Sequence, residues 1–442
     1  MKTTKCSIIG LGKLGACMAV AIASKGFAVI GVDRDKNKVD DINQGHAPIL
    51  EPFLDKLLKK CRNRISATTD YDNAVFNSNI SFIVVPTPSE RNGGFSLSFV
   101  KAAAEKIGRA LAHKNSYHIV VLTSTVLPGA TEYQIKPILE KHSGKKCGKD
   151  FGLCYNPEFI ALGTVIYNFL NPDFILVGES DKKAGSILES FYQKICDNNP
   201  PIARMNFINA ELTKISVNSF ITTKITFANM LTEMTQRLPG GDIDVVTGAL
   251  GLDSRIGKRY LKGGLGYGGP CFPRDNAALA SVARKLRVKA DIPEGTDKFN
   301  RRIVQKLYKL ICSEIKRNKT IGIMGLSYKP LSGVLEESQG FLLASKLVKA
   351  ERKVVLYDPL SMDALKRIFS GKVIYAGGLK EIVNLSDVLV VSNPDSAFLK
   401  LKAKDFYRPK RPLVLIDCWR LLRDYKLSDL PNLKYIPSGI GS

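Results

Sequence analysis

With 442 residues, of which 45% are hydrophobic and 24% charged, the chain is long enough for two or three globular domains. No stretch reaches the ~20 apolar residues that cross a bilayer, and no apolar signal region follows Met1, so we expect a cytosolic protein without a membrane partner. Nine cysteines without a CxxC pair argue against a disulfide framework, and four histidines without metal-like spacing predict no metal site.

The formal net charge of +24 raises the question of a nucleic-acid partner. The lysines and arginines are spread along the whole chain, and the sequence contains no basic tail, RNA-binding signature or zinc finger. We therefore expect no nucleic-acid partner. A basic surface favours the encounter with anionic small-molecule substrates instead.

Strand-like and helix-like segments alternate through the first 200 residues. Amphipathic stretches such as Leu97–Leu111 and Thr131–His142 separate the candidate strands. The candidate strands are Cys6–Ile9, Ala28–Val32, Ile80–Val85, Ile119–Leu122, Gly152–Cys154 and Phe174–Val177. This alternation predicts βαβ units and a parallel sheet.

From Asn209 to Arg237, apolar residues recur at helical spacing without a strong breaker, which predicts one long spine helix. Buried strands between helices return at Thr320–Gly325, Val354–Tyr357, Val388–Val391 and Leu413–Ile416. We therefore expect an α/β protein with two Rossmann-like, doubly wound parallel-sheet domains joined by a helical central domain. The predicted boundaries are residues 1–200, 201–312 and 313–442.

A glycine-rich turn follows the first candidate strand and opens a helix; it runs Gly10, Leu11, Gly12, Lys13, Leu14, Gly15. In this fingerprint the glycines allow a tight turn, close approach of the pyrophosphate and helix packing, and the helix presents free N–H groups to the phosphates. Asp33 ends the second strand, where an acid bonds the ribose hydroxyls. The pattern predicts NAD, because Asp33 repels the 2′-phosphate of NADP. Lys38 is also predicted to contact the cofactor. NADP stays open as an alternative cofactor, because Arg34 and Lys38 are basic and lie close to Asp33 in the sequence.

Five further motifs resemble those of the UDP-glucose/GDP-mannose dehydrogenase family, in the family's order and over almost the whole chain. They are Val85-Pro-Thr-Pro88, Ser124-Thr-Val-Leu-Pro-Gly129, Asn156-Pro-Glu-Phe159, Glu211-Leu-Thr-Lys-Ile-Ser-Val-Asn218 and Gly264-Leu-Gly-Tyr-Gly-Gly-Pro-Cys-Phe-Pro-Arg-Asp275. The resemblance implies NAD-dependent oxidation of a nucleotide-sugar, of the UDP-sugar branch. It places a further group of residues beside NAD, namely Pro86, Thr87, Ser124, Thr125 and Arg274.

The chemistry explains the cysteine of the last motif. An alcohol that loses one hydride becomes an aldehyde, and a second hydride leaves only after the carbon has become tetrahedral. A thiolate supplies that step, because it forms a thiohemiacetal that is oxidised to a thioester. Cys271 is the predicted nucleophile. The predicted reaction is therefore the four-electron oxidation of the C6 primary alcohol to the uronate.

The resemblance implies roles for five other catalytic residues. Lys214 and Asn218 are four residues apart, on one helix face, and hold the reacting oxygen as its negative charge develops. Asp275 and Thr125 position a water molecule or relay a proton. Glu158 activates the water that attacks the thioester.

The resemblance also implies substrate contacts and an assembly. Arg255 reaches the substrate from a neighbouring subunit, which predicts a homodimer, and Tyr328 with Lys329 contacts the nucleotide-sugar. The other predicted substrate contacts are Glu158, Phe159, Lys214, Asn218, Gly266, Tyr267 and Gly268.

Three positions depart from the family's pattern. Leu162 stands where a second glutamate is common, and Glu336 and Trp419 each stand where an arginine is expected. These changes bear on substrate identity and NAD affinity. Two alternatives stay open: a two-electron hydroxyacid-type dehydrogenase, which needs no Cys271, and a non-catalytic sensor of nucleotide-sugars.

Overall fold

A computed structural model describes residues 4–49, 51–160 and 163–441 of the chain, and Leu162 lies outside these ranges. The chain divides into two compact units, residues 1–216 and 217–442. Of the residues described, none belongs to a helix long and apolar enough to cross a membrane.

The first unit is built on one sheet. Its strands among the described residues are β1 (Lys5–Ile9), β2 (Ala28–Val32), β3 (Ile65–Thr68), β4 (Ile80–Ile83), β5 (Ile119–Leu122), β6 (Gly152–Tyr155), β7 (Ile175–Glu179) and β8 (Ile202–Met205). Their order across the sheet is β3-β2-β1-β4-β5-β6-β7-β8. Neighbouring strands are parallel except at the junction of β6 and β7, which pair antiparallel.

Helices cover both faces of this sheet. They are α1 (Lys13–Ser24), α2 (Lys36–Gln44), α3 (Leu54–Lys60), α4 (Tyr71–Phe76), α5 (Ser98–Ala112), α6 (Lys136–Ser143), α7 (Val165–Leu170) and α8 (Lys182–Ile195). Because side chains alternate along a strand, Ile8 and Ile9 belong to different apolar clusters, one on each face. Strands buried on both faces are continuous apolar runs, as in the Ile119–Leu122 strand.

A long helix, α9 (Phe207–Thr235), leads from the first unit into the second. The helices that follow are α10 (Ile243–Leu250), α11 (Phe272–Lys285), α12 (Asp291–Glu314), α13 (Gln339–Lys349), α14 (Met362–Phe369) and α15 (Leu379–Leu385). The strands of the second unit are β9 (Thr320–Met324), β10 (Lys353–Tyr357), β11 (Ile374–Tyr375), β12 (Val388–Val391), β13 (Leu413–Asp417) and β14 (Leu433–Pro437). They form a parallel sheet in the order β11-β10-β9-β12-β13-β14.

The predicted fold class is confirmed: two α/β sheets are joined by a helical region that contains the long helix α9. The antiparallel β7 departs from the expected all-parallel sheet. The predicted helical stretch Thr131–His142 is helical throughout, but its first residues, Thr131–Ile135, form a wider π-type turn that leads directly into α6. The boundaries 1–200, 201–312 and 313–442 stay predictions.

Candidate active site

The turn after β1 has the geometry that a dinucleotide requires. Gly10 has a φ of +103°, and a Cβ atom there would lie 2.4 Å from the carbonyl oxygen of Val84. A Cβ atom on Gly15 would lie 1.8 Å from the carbonyl oxygen of Gly10. Gly12 has open space around it and precedes α1 without a side-chain cap. The first N–H groups of α1 are therefore available to a pyrophosphate, and the turn fits NAD.

The other residues of the turn frame this cradle. Leu11 is buried, Leu14 is half-buried and Lys13 is exposed in the first turn of α1. Asp33, at the end of β2, accepts a hydrogen bond from the Leu11 N–H at 2.7 Å. Lys38 Nζ lies 3.6 Å from the Asp33 carboxylate. Lys38 therefore lies beside the acid that is predicted to bind the ribose, and its positive charge is paired with Asp33.

The loops after β4 and β5 are tied to one another at the same edge of the sheet. The Thr87 hydroxyl donates to the Thr125 carbonyl oxygen at 2.9 Å, and the Ser124 hydroxyl donates to the Val85 carbonyl oxygen at 2.7 Å. The half-buried Pro86 lies between these anchors. The connection from β1 leads to β2 on one side while β4 lies on the other. The chain order reverses here, which is where doubly wound sheets bind ligands.

Glu158 lies beyond β6 in an environment that favours its neutral form. Burial raises the pKa of Glu158 to about 7, against the opposing effects of the Tyr192 hydroxyl and the Lys214 ammonium group. Tyr192 is fully buried, and its hydroxyl lies 3.3 Å from the Glu158 carboxylate and also donates to the Asn156 side chain. A carboxyl group with this pKa exchanges protons near neutral pH, as a general base must.

Lys214 is held close to Glu158 within the first unit. Its Nζ donates to the Glu158 carbonyl oxygen at 2.8 Å and lies 4.4 Å from the centre of the Phe159 ring. Phe159 in turn packs on Phe174, with ring centres 4.9 Å apart. The structure therefore brings Lys214 of the α9 motif together with Glu158 and Phe159 of the motif after β6.

Glu211, one turn before Lys214, supports the loop that carries Thr125. Its buried carboxylate accepts hydrogen bonds from the Gly129 and Thr131 N–H groups at 2.6 and 2.7 Å. The sequence predicts no role for Glu211, although it lies in the α9 motif, and none for Tyr192. A role for either requires knowing which loop lies beside it in the fold.

Cys271 is the exposed member of the nine cysteines and immediately precedes α11. Its carbonyl oxygen accepts from the Asp275 N–H at 2.8 Å, which closes the first turn of the helix. The Asp275 carboxylate accepts from the Asn218 side-chain amide of α9 at 2.6 Å. Both side chains are buried, so Asn218 and Asp275, two of the predicted catalytic residues, form a bonded pair whose second member lies one helical turn after Cys271.

The loop before Cys271 packs too closely for side chains at its glycines. A Cβ atom on Gly266 would lie 1.9 Å from Asn300 Oδ1, and one on Gly268 would lie 2.4 Å from the Glu337 carbonyl oxygen. The Tyr267 ring is buried and its hydroxyl donates to Asp297. The predicted substrate contact of Tyr267 would therefore have to come from its backbone.

Tyr328 lies directly against the loop from Gly264 to Cys271, which we call the nucleophile loop. A Cβ atom on Gly269 would be 2.7 Å from the Tyr328 ring. Burial, together with the nearby Cys271 and Tyr260, raises the pKa of Tyr328 to about 12. Lys329 Nζ lies 5.9 Å from the same ring, and Arg274 is half-buried in the first turn of α11.

Two of the departures lie against the loop that precedes Cys271, within the second unit. The Glu336 carbonyl oxygen accepts from the Gly269 N–H at 2.9 Å, so the backbone of this residue supports the nucleophile loop. The Trp419 ring lies against Gly264 and its indole donates to the Ser392 carbonyl oxygen at 3.1 Å.

The neighbouring Arg420 is buried and binds Asp244 with two nitrogens, at 2.7 and 2.9 Å. This ion pair joins the loop after β13 to α10. Arg420 therefore stabilises the second unit in this structure. Arg255, in contrast, has an 86% exposed side chain that is bonded to Asp253.

The fold and the glycine turn define an NAD-binding oxidoreductase of the doubly wound class. The chain belongs to the UDP-glucose/GDP-mannose dehydrogenase family, whose NAD binding, central and UDP binding domains match residues 4–196, 208–302 and 322–424. The expected family and the NAD cofactor are thereby confirmed.

Relatives and solved structures match over nearly the whole length. A GDP-mannose 6-dehydrogenase of Pseudomonas aeruginosa is 36% identical over 412 residues, which cover 90% of this chain and 93% of the relative. A UDP-glucose 6-dehydrogenase of Haloferax volcanii is 33% identical over 426 residues, which cover 94% of this chain and 96% of the relative. The structure of a UDP-glucose dehydrogenase from Pyrobaculum islandicum, 29% identical, superposes with a TM-score of 0.89 and covers 100% of this chain and 98% of that one.

Proposed function

We propose that the protein oxidises the C6 primary alcohol of a UDP-sugar to the uronate in two NAD-dependent steps through a thioester on Cys271. The observation that carries the proposal is the exposed Cys271 at the start of α11, followed in the first turn by the buried Asp275, which is bonded to Asn218 of α9. A buried cysteine could not reach a substrate, and the other eight cysteines are buried or partly buried.

The reaction follows from the roles of these side chains. Lys214 and Asn218 hold the alcohol oxygen. Its proton passes to a water molecule positioned by Asp275 and Thr125 as hydride leaves C6 and the aldehyde forms. The Cys271 thiolate attacks the aldehyde carbon, and loss of a second hydride from the thiohemiacetal gives the thioester. Water deprotonated by Glu158 cleaves the thioester, releasing the carboxylate and the thiol. Bound NAD supplies the hydride acceptor for each oxidation.

The proposal of a UDP-sugar rests on the match of the C-terminal residues and on the names of the relatives. The match over residues 322–424 is to a UDP binding domain, which supports a UDP-sugar such as UDP-glucose or a UDP-N-acetylhexosamine. The Pseudomonas relative named for GDP-mannose makes that nucleotide-sugar the second candidate. A cytosolic location stays a prediction.

A homodimer is the proposed assembly. The long helix α9 exposes large apolar side chains in the second unit, including Phe220 at 67%, Phe227 at 46% and Met234 at 52%. The exposed Leu252 and Arg255 follow α10. Burial of such side chains against a second copy would stabilise a dimer, and Arg255 would be free to exchange Asp253 for an anionic substrate in the partner's site.

Mixing two inactive variants tests the dimer and the role of Arg255 together. Cys271→Ser and Arg255→Ala each lose activity as pure dimers. After random exchange of subunits in an equal mixture, about half of the dimers are mixed and each has one site with both intact residues, so activity returns to about a quarter of the wild-type level. Absence of recovery, with subunit exchange shown by mass, contradicts the action of Arg255 across an interface.

Purified protein, NAD and a panel of UDP- and GDP-sugars test the reaction. The proposal predicts two NADH per sugar and a product that has gained one oxygen and lost two hydrogens. One NADH and an aldehyde or ketone would instead indicate a two-electron dehydrogenase. Binding of nucleotide-sugars without turnover across the panel would indicate a sensor.

A further inference from the structure

The buried Tyr267 is held at both ends by side chains from other elements. Its carbonyl oxygen accepts from the Asn300 amide at 2.9 Å and from the Gln339 amide at 3.1 Å. Its hydroxyl donates to the Asp297 carboxylate. The Asn276 amide lies 3.0 Å from that hydroxyl and 3.2 Å from the same carboxylate. Tyr267 therefore anchors the nucleophile loop to α12 and α11.

Asn276 continues the chain of hydrogen bonds to α9. Fully buried, it accepts from the Thr222 hydroxyl at 3.1 Å, while its neighbour Asp275 accepts from Asn218 at 2.6 Å. Thr222 and Asn218 are one helical turn apart. Two adjacent residues of α11 are thus bonded to two successive turns of α9, and the first of them is the partner of the proposed oxyanion-binding amide.

The Asp297 carboxyl group supplies the acceptor for the Tyr267 hydroxyl, and the Asn276 amide lies beside the same oxygen. Burial and the bond to Asp297 both raise the pKa of the Tyr267 hydroxyl well above its ordinary value, so the hydroxyl remains a donor. Bonds of this kind in a buried network polarise and strengthen one another. The loss of one member leaves the others with unmatched groups.

We propose that Asp297 is a positioning residue, which acts through Tyr267 and Asn276 to place Cys271 and the Asn218–Asp275 pair. The Asp297 carboxyl group binds Tyr267, in the loop from Gly264 to Cys271, and it also binds Asn276, near the start of α11. Displacement of a reacting group by about 1 Å costs up to ~100-fold in rate. This inference rests on the proposed function of Cys271.

The test compares Tyr267→Phe, Asp297→Ala and their double variant with the wild type. Each single change is expected to lower kcat about 10-fold while KM for the nucleotide-sugar stays within about 2-fold. Because the Tyr267 hydroxyl acts through its bond to Asp297, the kcat of the double variant should be no lower than that of the less active single variant. Multiplied losses, or a loss confined to KM, would overturn the proposal.

Two controls separate positioning from stability. Tyr425→Phe removes a tyrosine hydroxyl that donates to the Leu399 carbonyl oxygen at 3.0 Å, away from the nucleophile loop, and should leave kcat unchanged. Asp297→Asn keeps the acceptor oxygen and should restore at least half of the lost kcat. An equal loss of kcat in Tyr425→Phe and Tyr267→Phe would overturn a specific role for the network.

Alkylation of Cys271 by iodoacetamide, followed by peptide mass, tests the positioning without a substrate. The second-order rate constant at fixed pH should change at least about 3-fold in Tyr267→Phe and in Asp297→Ala, and not in Tyr425→Phe. An unchanged rate constant in both variants would overturn the positioning role. If the wild type turns over no nucleotide-sugar, the proposed function fails on its own, and the alkylation result still decides the positioning.

Discussion

The two sheets share the arrangement of their first strands but differ in how they use it. The order β3-β2-β1-β4-β5 is repeated as β11-β10-β9-β12-β13. A glycine with positive φ ends the first strand of each, Gly10 at +103° and Gly325 at +92°. Each glycine N–H donates to the last residue of the next strand, Val32 or Tyr357, at 2.7 and 2.9 Å. Similar backbones therefore close the two turns.

The acid after the second strand shows the first difference. Asp33 and Asp358 each accept from the N–H group that follows the glycine, at 2.7 and 2.8 Å. Asp358 is 2% exposed and accepts four further bonds, from Ser327, Leu360 and Ser361. A carboxylate has about four acceptor sites, so Asp358 has none left for a ribose. The acid at this position is proposed to bind the ribose in the first sheet, whereas in the second sheet it stabilises the fold.

The length of the connection shows the second difference. A Cβ atom on Gly15 would meet the Gly10 carbonyl oxygen at 1.8 Å, and one on Gly340 would meet the Gly325 carbonyl oxygen at 2.6 Å. The same close contact is thus reached after a short turn in one sheet and a long loop in the other. That loop places Tyr328 against the nucleophile loop.

Alanine at the paired glycines should give the largest contrast. Gly15→Ala is expected to lower the free energy of unfolding by more than about 3 kcal/mol and NAD affinity by more than ~100-fold, because backbone must move at the cofactor turn. Gly340→Ala should cost about 2 kcal/mol and leave the NAD Kd unchanged. Urea unfolding and NAD titration measure both. Gly295→Ala, in open space on α12, should stabilise by about 0.5–1 kcal/mol. A loss of NAD affinity in Gly340→Ala would contradict the contrast.

The carboxyl groups near the two sheets should differ in their pH dependence. The pKa of Glu158 is raised to about 7 by burial, so its carboxylate, the active form of a base, appears as pH rises through 7. Thioester hydrolysis should rise over the same range and level off above it. Glu158→Gln should slow hydrolysis about 100-fold and remove this rise. A persistent rise in the variant would assign it to another group.

Glu158 also makes a prediction for stability. A carboxyl with a raised folded pKa stabilises the folded state while protonated, and that contribution is lost as pH rises from about 4.5 to about 7. Glu158→Gln should therefore unfold at the same or higher temperature than the wild type at pH 8. A lower unfolding temperature at pH 8 would contradict the raised pKa.

Asp358→Asn should destabilise the second sheet without affecting the cofactor. Burial alone would raise the pKa of Asp358, but hydrogen bonds from Ser327, Leu360 and other neighbours hold it below its ordinary value. Its stabilising contribution is therefore present above about pH 4 and lost as pH falls through the lowered folded pKa. We expect a loss of about 2 kcal/mol at pH 7 in urea unfolding. An altered NAD Kd would contradict the structural role.

Asp33→Asn should show the reverse pattern with the smallest effect. The variant keeps an oxygen for the Leu11 N–H, so the free energy of unfolding should change by less than about 1 kcal/mol. NAD affinity should fall about 10-fold, and discrimination against NADP should decrease. Titration with both dinucleotides measures this. Equal NAD affinities in Asp33→Asn and the wild type would remove Asp33 from the cofactor site.

The interior strands were predictable from the sequence, and the sheet edges were not. The four strands without a sequence-based prediction are β3, β8, β11 and β14, and each is an edge strand. The residues of β8 are all half-exposed, and the strand β14 ends at a proline. Such strands lack the continuous apolar run of a strand buried on both faces.

The site shows a similar limit. Cys271, Asp33 and the glycine turn carry local patterns, and those patterns predict their chemistry from the order of residues along the chain. Asp297 and Gln339 carry no such pattern, because each contacts Tyr267 from a distant part of the chain. Such contacts exist only after the helices have packed against the loop, so the order of residues along the chain does not predict them.

A covalent adduct on Cys271 tests the central claim most directly. Glu158→Gln should be mixed with NAD and a substrate identified in the panel, quenched in acid at short times and analysed by peptide mass. The account predicts an acyl nucleotide-sugar on the peptide that contains Cys271, formed together with two NADH per site, and absent from Cys271→Ser. Formation of the acid with Cys271 unmodified throughout, or undiminished acid production by Cys271→Ser, would contradict it.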